Sequence, residues 1–267
     1  MLIVLGLGIV ASMMGVFNFA QGEFVLIGAY TTYLFHAMGL PVWSGMVAAP
    51  FIAGACGLVT EMVVIRRLYT RPVAAMLATY AIGLAVRETV RILLAGLYIS
   101  IPEPIGGSIS IGGSQISAWR LVILIVTILV VTASYLLVSK TSFGLQARAA
   151  LENPSLARSS GISTTFVYAA TFAFGTGLAG LAGALIVPVF SLFADLGLRF
   201  LVQGFVAILV GGVGTFTGPL AGGAVVGLVS AALPWVISPV AADILVFALA
   251  IVFVKIRPSG LIKGTGV

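Results

Sequence analysis

The sequence predicts an all-α, polytopic integral membrane protein with roughly eight or nine transmembrane helices, some of them short or broken. Three observations carry this reading. Only 7% of the 267 residues are charged, against about a quarter in a soluble domain, so the chain lacks the charge to cover a water-facing surface. Hydrophobic residues make up 61%, and mean hydropathy is +1.24. The apolar stretches are also too long and unbroken for the alternating strands of about ten residues that build an outer-membrane barrel.

The first apolar run covers residues 1–17. It has no basic segment before it and no small-residue cleavage motif followed by polar chain, which argues against a removable signal peptide. A membrane helix starting at the first methionine points instead to a missing preceding segment. Further helices are predicted at 24–38, 42–66, 73–98, 118–139, 163–188, 199–213, 216–233 and 238–255. Runs 24–38 and 199–213 fall short of the roughly 20 residues that cross a bilayer. Such glycine-interrupted segments persist in a membrane where protein or a water-filled cavity covers their backbone.

The formal net charge is +6. Its basic residues cluster between apolar runs, which is read as membrane orientation and not as a nucleic-acid surface. Arg66, Arg67 and Arg71 form one cluster, Lys140, Arg148 and Arg158 a second, and Lys255, Arg257 and Lys263 a third. All three face the cytoplasm if helices 73–98 and 118–139 separate the first two clusters and four further helices separate the last two. Residue 1 then lies outside and the C-terminus inside. The loop 99–117, with Glu103 and no basic residue, is external, and Trp43, Trp119 and Trp235 fall at outer span ends as interfacial anchors. The lone cysteine, Cys56, offers no disulfide framework and no multi-cysteine metal site. His36 has no local metal ligands, and no nucleophile, base and orienting acid form a set. The chain is therefore read as non-enzymatic, with no cofactor of its own.

Several features have both a functional and a structural reading. In the polar segment 140–161, Asn153 caps a short helix beginning at Pro154, and Gly161 ends it in a left-handed conformation. Leu145, Ala149 and Leu156 offer apolar contacts, while Arg148, Glu152 and Arg158 stay wet. This is an ordinary connector or a docking element for a cytoplasmic subunit. Asn18, Gln21, Gly22 and Glu23 interrupt two apolar runs near the cytoplasmic side, as a helix turn with an N-terminal acid or as a break lining a transport route. Arg87 and Glu88 lie deep in helix 73–98, with Arg91 in reach of Glu88 at i,i+3; they form an ion-pair network or act in gating. Glu61 has Arg66 and Arg67 nearby. Asp195 and Arg199 are read as an i,i+4 pair or as solvated, and Asp243 as a minor pore candidate. Gly175 to Gly180 match a bare GxGxxG, but no strand precedes them, so they are helix-packing glycines. Thr215 and Thr217 follow Gly211, Gly212 and Gly214 in a break that lines a polar path or makes a tight turn.

The stretches GVFNFAQGEFVLIGAY (15–30), RPVAAMLAT (71–79), SFGLQARAALENPSLARSSGI (142–162), ILVGGVGTFTGPLAGG (208–223) and IRPSGLI (256–262) together resemble the permease subunits of bacterial ABC importers for branched-chain amino acids. That broad family also covers urea and short amides, and RPVAAMLAT is similar to the urea-type relatives. The family usually has Asn-Phe-Ala-His-Gly at the first motif; Gln21 stands in the histidine's place here. The resemblance implies a single permease domain over 1–267 in the bacterial inner membrane. It also implies a second homologous permease, two cytoplasmic ATPases that use the ATP, a periplasmic solute-binding protein and a small polar solute. The segment from Arg148 to Gly161, within 140–161, looks like the coupling element that inserts into an ATPase groove. An ion-coupled secondary transporter or a channel is the competing class.

Overall fold

The computed structural model describes residues 1–111, 114–257 and 260–262. Among the described residues eleven α-helices run in order: α1 Leu2–Met14, α2 Gln21–Ala37, α3 Val42–Val63, α4 Pro72–Leu93, α5 Ala118–Lys140, α6 Ser142–Glu152, α7 Pro154–Ser159, α8 Thr164–Ile186, α9 Leu196–Gly211, α10 Thr217–Ala232 and α11 Pro239–Ile256. Among the described residues, α3, α4, α5, α8 and α10 with its 3-10 extension are long and apolar enough to cross a membrane, and shorter apolar helices accompany them. The protein is thus an all-α polytopic membrane protein, apart from one small hairpin.

That hairpin corrects the reading of 99–117 as plain loop: strands β1 Ser108–Ile111 and β2 Ser114–Ser117 pair antiparallel, with Ser108 opposite Ser117. The other shifts are local. α2 begins at Gln21, three residues before the predicted start, and a separate 3-10 turn at Ile65–Leu68 follows α3. α4 ends at Leu93 instead of running to 98.

α8 is the central helix, with a mostly buried surface packed by α1, α2 and α3. Its glycines allow this. An added Cβ at Gly175 would meet the backbone of Gly6, at Gly180 that of Ala49 in α3, and at Gly183 that of Val25 in α2. Without side chains in the way, helix backbones approach closely, the usual way to gain dispersion contacts where lipid removes the hydrophobic drive. The GxGxxG run is therefore a packing surface.

The described basic residues of the three clusters gather at one end. Arg66 shares a recess there with Ser163 and Phe166 at the start of α8, while Arg148 shares a cavity with Gly214 and Thr215. Leu261 and Ile262 dock onto the same α9–α10 break. Leu261 N–H donates to the Val210 carbonyl at 2.9 Å and Ile262 N–H to that of Gly211 at 3.1 Å. Two carbonyls that the end of α9 would leave unpaired are thereby satisfied. Lys263 lies outside the described residues, as does the side chain of Asp243.

Two further expectations are corrected. Trp119 is not an interfacial anchor: it is fully buried, its indole N–H donating to the Leu185 carbonyl at 3.2 Å. Trp43, against whose ring it packs edge-on, is exposed, as is Trp235. Asp195 does not pair with Arg199; its carboxylate takes a bond from Arg91 at 2.9 Å.

Candidate functional site

The structure places the candidate residues in two assemblies, one inside the bundle and one at its basic end. The inner assembly forms where α2 starts. Asn18 and Gln21 are fully buried. Asn18 Oδ1 accepts from Ala20 N–H at 3.0 Å, its Nδ2 donates to Gln21 Oε1 at 2.9 Å, and Gln21 Nε2 donates to the Gly175 carbonyl at 2.9 Å. Gly175 sits midway along α8, so this break lies within the bundle and not at the cytoplasmic edge expected for it. A buried amide chain of this kind is stable because every member has a partner. Gly22 meets Gly197 of α9, whose carbonyl an added Cβ would strike.

In the first turn of α2, Glu23 pairs with Arg87 of α4, whose Nε lies 3.0 Å from Glu23 Oε1. Both side chains are at least nine-tenths buried. Glu23 Oε2 has no hydrogen-bond partner, and it faces Gly83, where an added Cβ would stand 3.1 Å away. The partner of Arg87 is therefore a residue 64 positions away, while its sequence neighbour Glu88 points elsewhere. Glu88 is exposed and pairs with Arg91 at 3.1 Å, as the i,i+3 spacing predicts.

Thr215 and Thr217 do not join this group. They belong to the α9–α10 break, where Thr215 Oγ1 accepts from Gly218 N–H at 3.0 Å and Thr217 begins α10. Ser12 of α1 braces the break, its hydroxyl accepting from Gly214 N–H at 3.2 Å. Beside it is a cavity of about 230 Å³ lined by Ser12, Thr215, Arg148 and apolar residues of α1.

The second assembly is built from α6 and α7. Residues Ala147 and Ala150 bury one face of α6. Arg148 Nη1 donates to the Val138 carbonyl at 3.1 Å, and Tyr168 of α8 donates to that of Ala150 at 2.7 Å. Asn153 Oδ1 accepts from Leu156 N–H at 3.0 Å, with Pro154 in the first helical position. At the other end, Gly161 has φ +83°. Its N–H bonds Arg158 O at 3.0 Å and the Ile162 N–H bonds Ala157 O at 2.9 Å, the paired bonds of a Schellman motif. Glu152, Arg158 and the side chains of Leu145 and Leu156, each 63% exposed, face outward.

A neighbouring anchor was legible only in part. Glu61 is fully buried and accepts from Arg66 at 3.2 Å and from Tyr69. Burial, and then the Glu61 carboxylate, push the Tyr69 phenol well above its ordinary value. Tyr69 was missed because it lies past the helix end, where spacing carries no signal. Among the described residues, no group of three or more His, Cys, Asp or Glu could hold a metal ion.

Over residues 1–254 the chain matches the family described as "Branched-chain amino acid transport system / permease component". The chain belongs to this permease family. It is 28% identical to the LivH high-affinity branched-chain amino acid transport system permease of Escherichia coli K12, over 98% of this chain and 90% of the relative. The BraD permease of Pseudomonas aeruginosa is 27% identical over the same shares. A probable LivH permease of Methanocaldococcus jannaschii is 29% identical over 85% of this chain and 74% of that one. No solved structure matches the chain. The permease is thus a multi-pass inner-membrane subunit of an ABC-type transporter for small polar solutes, and its role is non-catalytic transport with no cofactor of its own.

Proposed function

We propose that this permease forms half of the membrane channel of an ATP-driven importer that carries branched-chain amino acids into the cytoplasm. A second homologous permease supplies the other half, two cytoplasmic ATPases supply the energy, and a periplasmic binding protein delivers the solute. The observation that carries the coupling part is the α6–α7 element. It is fixed to the bundle by α5 and α8, capped at both ends of α7, and presents exposed leucines beside Glu152 and Arg158. A rigid element with an outward apolar face can pass a push from a docked ATPase into the helices that hold it, and segment 140–161 is assigned that role. Gathering of basic residues at this end supports a cytoplasmic placement for it and for the C-terminus.

The buried polar groups at Asn18, Gln21, Glu23 and Arg87 are assigned to gating: they join α2 to α4 and α8, so movement of α4 would have to break or carry the Glu23–Arg87 pair. The names of the matched relatives support the substrate assignment. Uptake of labelled leucine and urea by the reconstituted transporter with its binding protein tests it. Leucine uptake is expected; urea uptake without leucine uptake would place the permease among those for urea and amides.

A further inference from the structure

α9 carries two polar side chains one turn apart, Arg199 and Gln203, and α10 carries Ser230. All three line one cavity of about 290 Å³ together with Met1 and Val4 at the start of α1, Phe200 of α9 and Val226 of α10. Among the described residues, none of the three makes a side-chain hydrogen bond or ion pair. The guanidinium of Arg199 only stands over the Phe190 ring, 5.8 Å from its centroid. Arg199 is exposed in the first turn of α9, and Gln203, half-buried, stands one turn further in, eight residues or about 12 Å before the break at the basic end. A polar group at the depth of Gln203 is costly against lipid and faces a bundle interior or a water-filled cavity.

We propose that this groove between α1, α9 and α10 is a binding site for a zwitterionic α-amino acid on its way through the membrane. The Arg199 guanidinium receives the carboxylate through its forked N–H groups. Gln203 Oε1 and the Ser230 hydroxyl accept from the ammonium, and Val4, Val226 and Phe200 hold the aliphatic side chain. The site rests on the substrate reading above and sharpens it: a guanidinium with no counter-ion suits an anionic end that urea lacks. Gly227, on the α10 wall of the groove, leaves room for the solute, since an added Cβ there meets nothing within 4 Å.

The test uses the complete transporter in nanodiscs without binding protein, so that selectivity outside the membrane plays no part. In a Cys56→Ser background, Gly227→Cys and, separately, Ser230→Cys report access to a hydrophilic, membrane-impermeant maleimide. Both thiols are expected to react. Leucine should slow the reaction at Gly227→Cys at least five-fold, and leucinol, which lacks the carboxylate, should not. Adding Arg199→Gln should raise the leucine concentration for half-protection at least ten-fold, with Arg199→Lys intermediate. Unreactive thiols at both positions would show lipid or protein filling the groove, and equal protection by leucinol or an unchanged Arg199→Gln would show no carboxylate recognition; each overturns the proposal. Leucine uptake by the unsubstituted transporter is measured alongside. Uptake without protection removes the site and leaves the substrate reading standing, whereas urea uptake without leucine uptake removes the substrate reading and the site's amino-acid assignment with it.

Discussion

Glu23 and Arg87 illustrate how a charge is kept inside an apolar bundle. Neither could be buried alone, and together they still leave Glu23 Oε2 without a partner. Removing one member of such a pair strands the other and costs about 3 to 5 kcal/mol, whereas replacing both with apolar residues of similar size is often close to neutral. Arg87→Met alone is therefore expected to lower the thermal stability of the solubilised transporter sharply, and Glu23→Leu with Arg87→Met to recover most of it. Loss of uptake in the recovered double variant would assign the pair to gating; normal uptake would leave it a structural staple. Arg87 was legible because its depth in an apolar helix demanded a partner. Glu23 was not legible as that partner, because a separation of 64 residues is bridged only by the packing of α2 on α4. The cavity-lining set Arg199, Gln203 and Ser230 was missed although Arg199 and Gln203 stand at i,i+4; the pairing with Asp195 read from the same spacing concealed it.

At the scale of elements, local chemistry was the most readable. Asn153, Pro154 and Gly161 mark the ends of α7 by capping rules that need no tertiary information, and the apolar runs give every long helix to within a few residues. Hairpin β1–β2 escaped because its Ser-Ile alternation lies in a chain whose composition argues for helices. The termination of α4 at Leu93, with Gly96 at φ +71°, likewise depends on a glycine that a hydropathy count treats as neutral. Two substitutions test the proposed role of α6–α7. Asn153→Ala removes a cap worth about 0.5 to 2 kcal/mol and is expected to reduce binding-protein-stimulated ATP hydrolysis while membrane expression stays normal. Arg158→Glu should weaken co-purification of the ATPase more at low salt than at high salt, because salt screens the new repulsion. Full assembly and normal transport in both variants would make the element an ordinary connector.

For the whole molecule, the order of helices follows the apolar runs, and the charge clusters between them carried the proposed orientation. Contacts that close the structure over long distances were beyond that argument. The docking of Leu261 and Ile262 on the α9–α10 break joins two motifs that stand about 50 residues apart in the chain, and hydropathy carries no sign of it. The placement of segment 140–161 is open to direct labelling. Single cysteines at Gln146 and Asn153 in a Cys56→Ser background should resist an impermeant maleimide in intact cells and react once the membrane is opened. The central claim is that this chain moves solute only when an ATPase drives it. Its most direct test is leucine uptake into proteoliposomes holding either the complete transporter or this permease alone, with ATP or with a proton or sodium gradient as the energy source. The account predicts uptake by the complete transporter with ATP and none under a gradient without it, whereas gradient-driven uptake by the permease alone would contradict it.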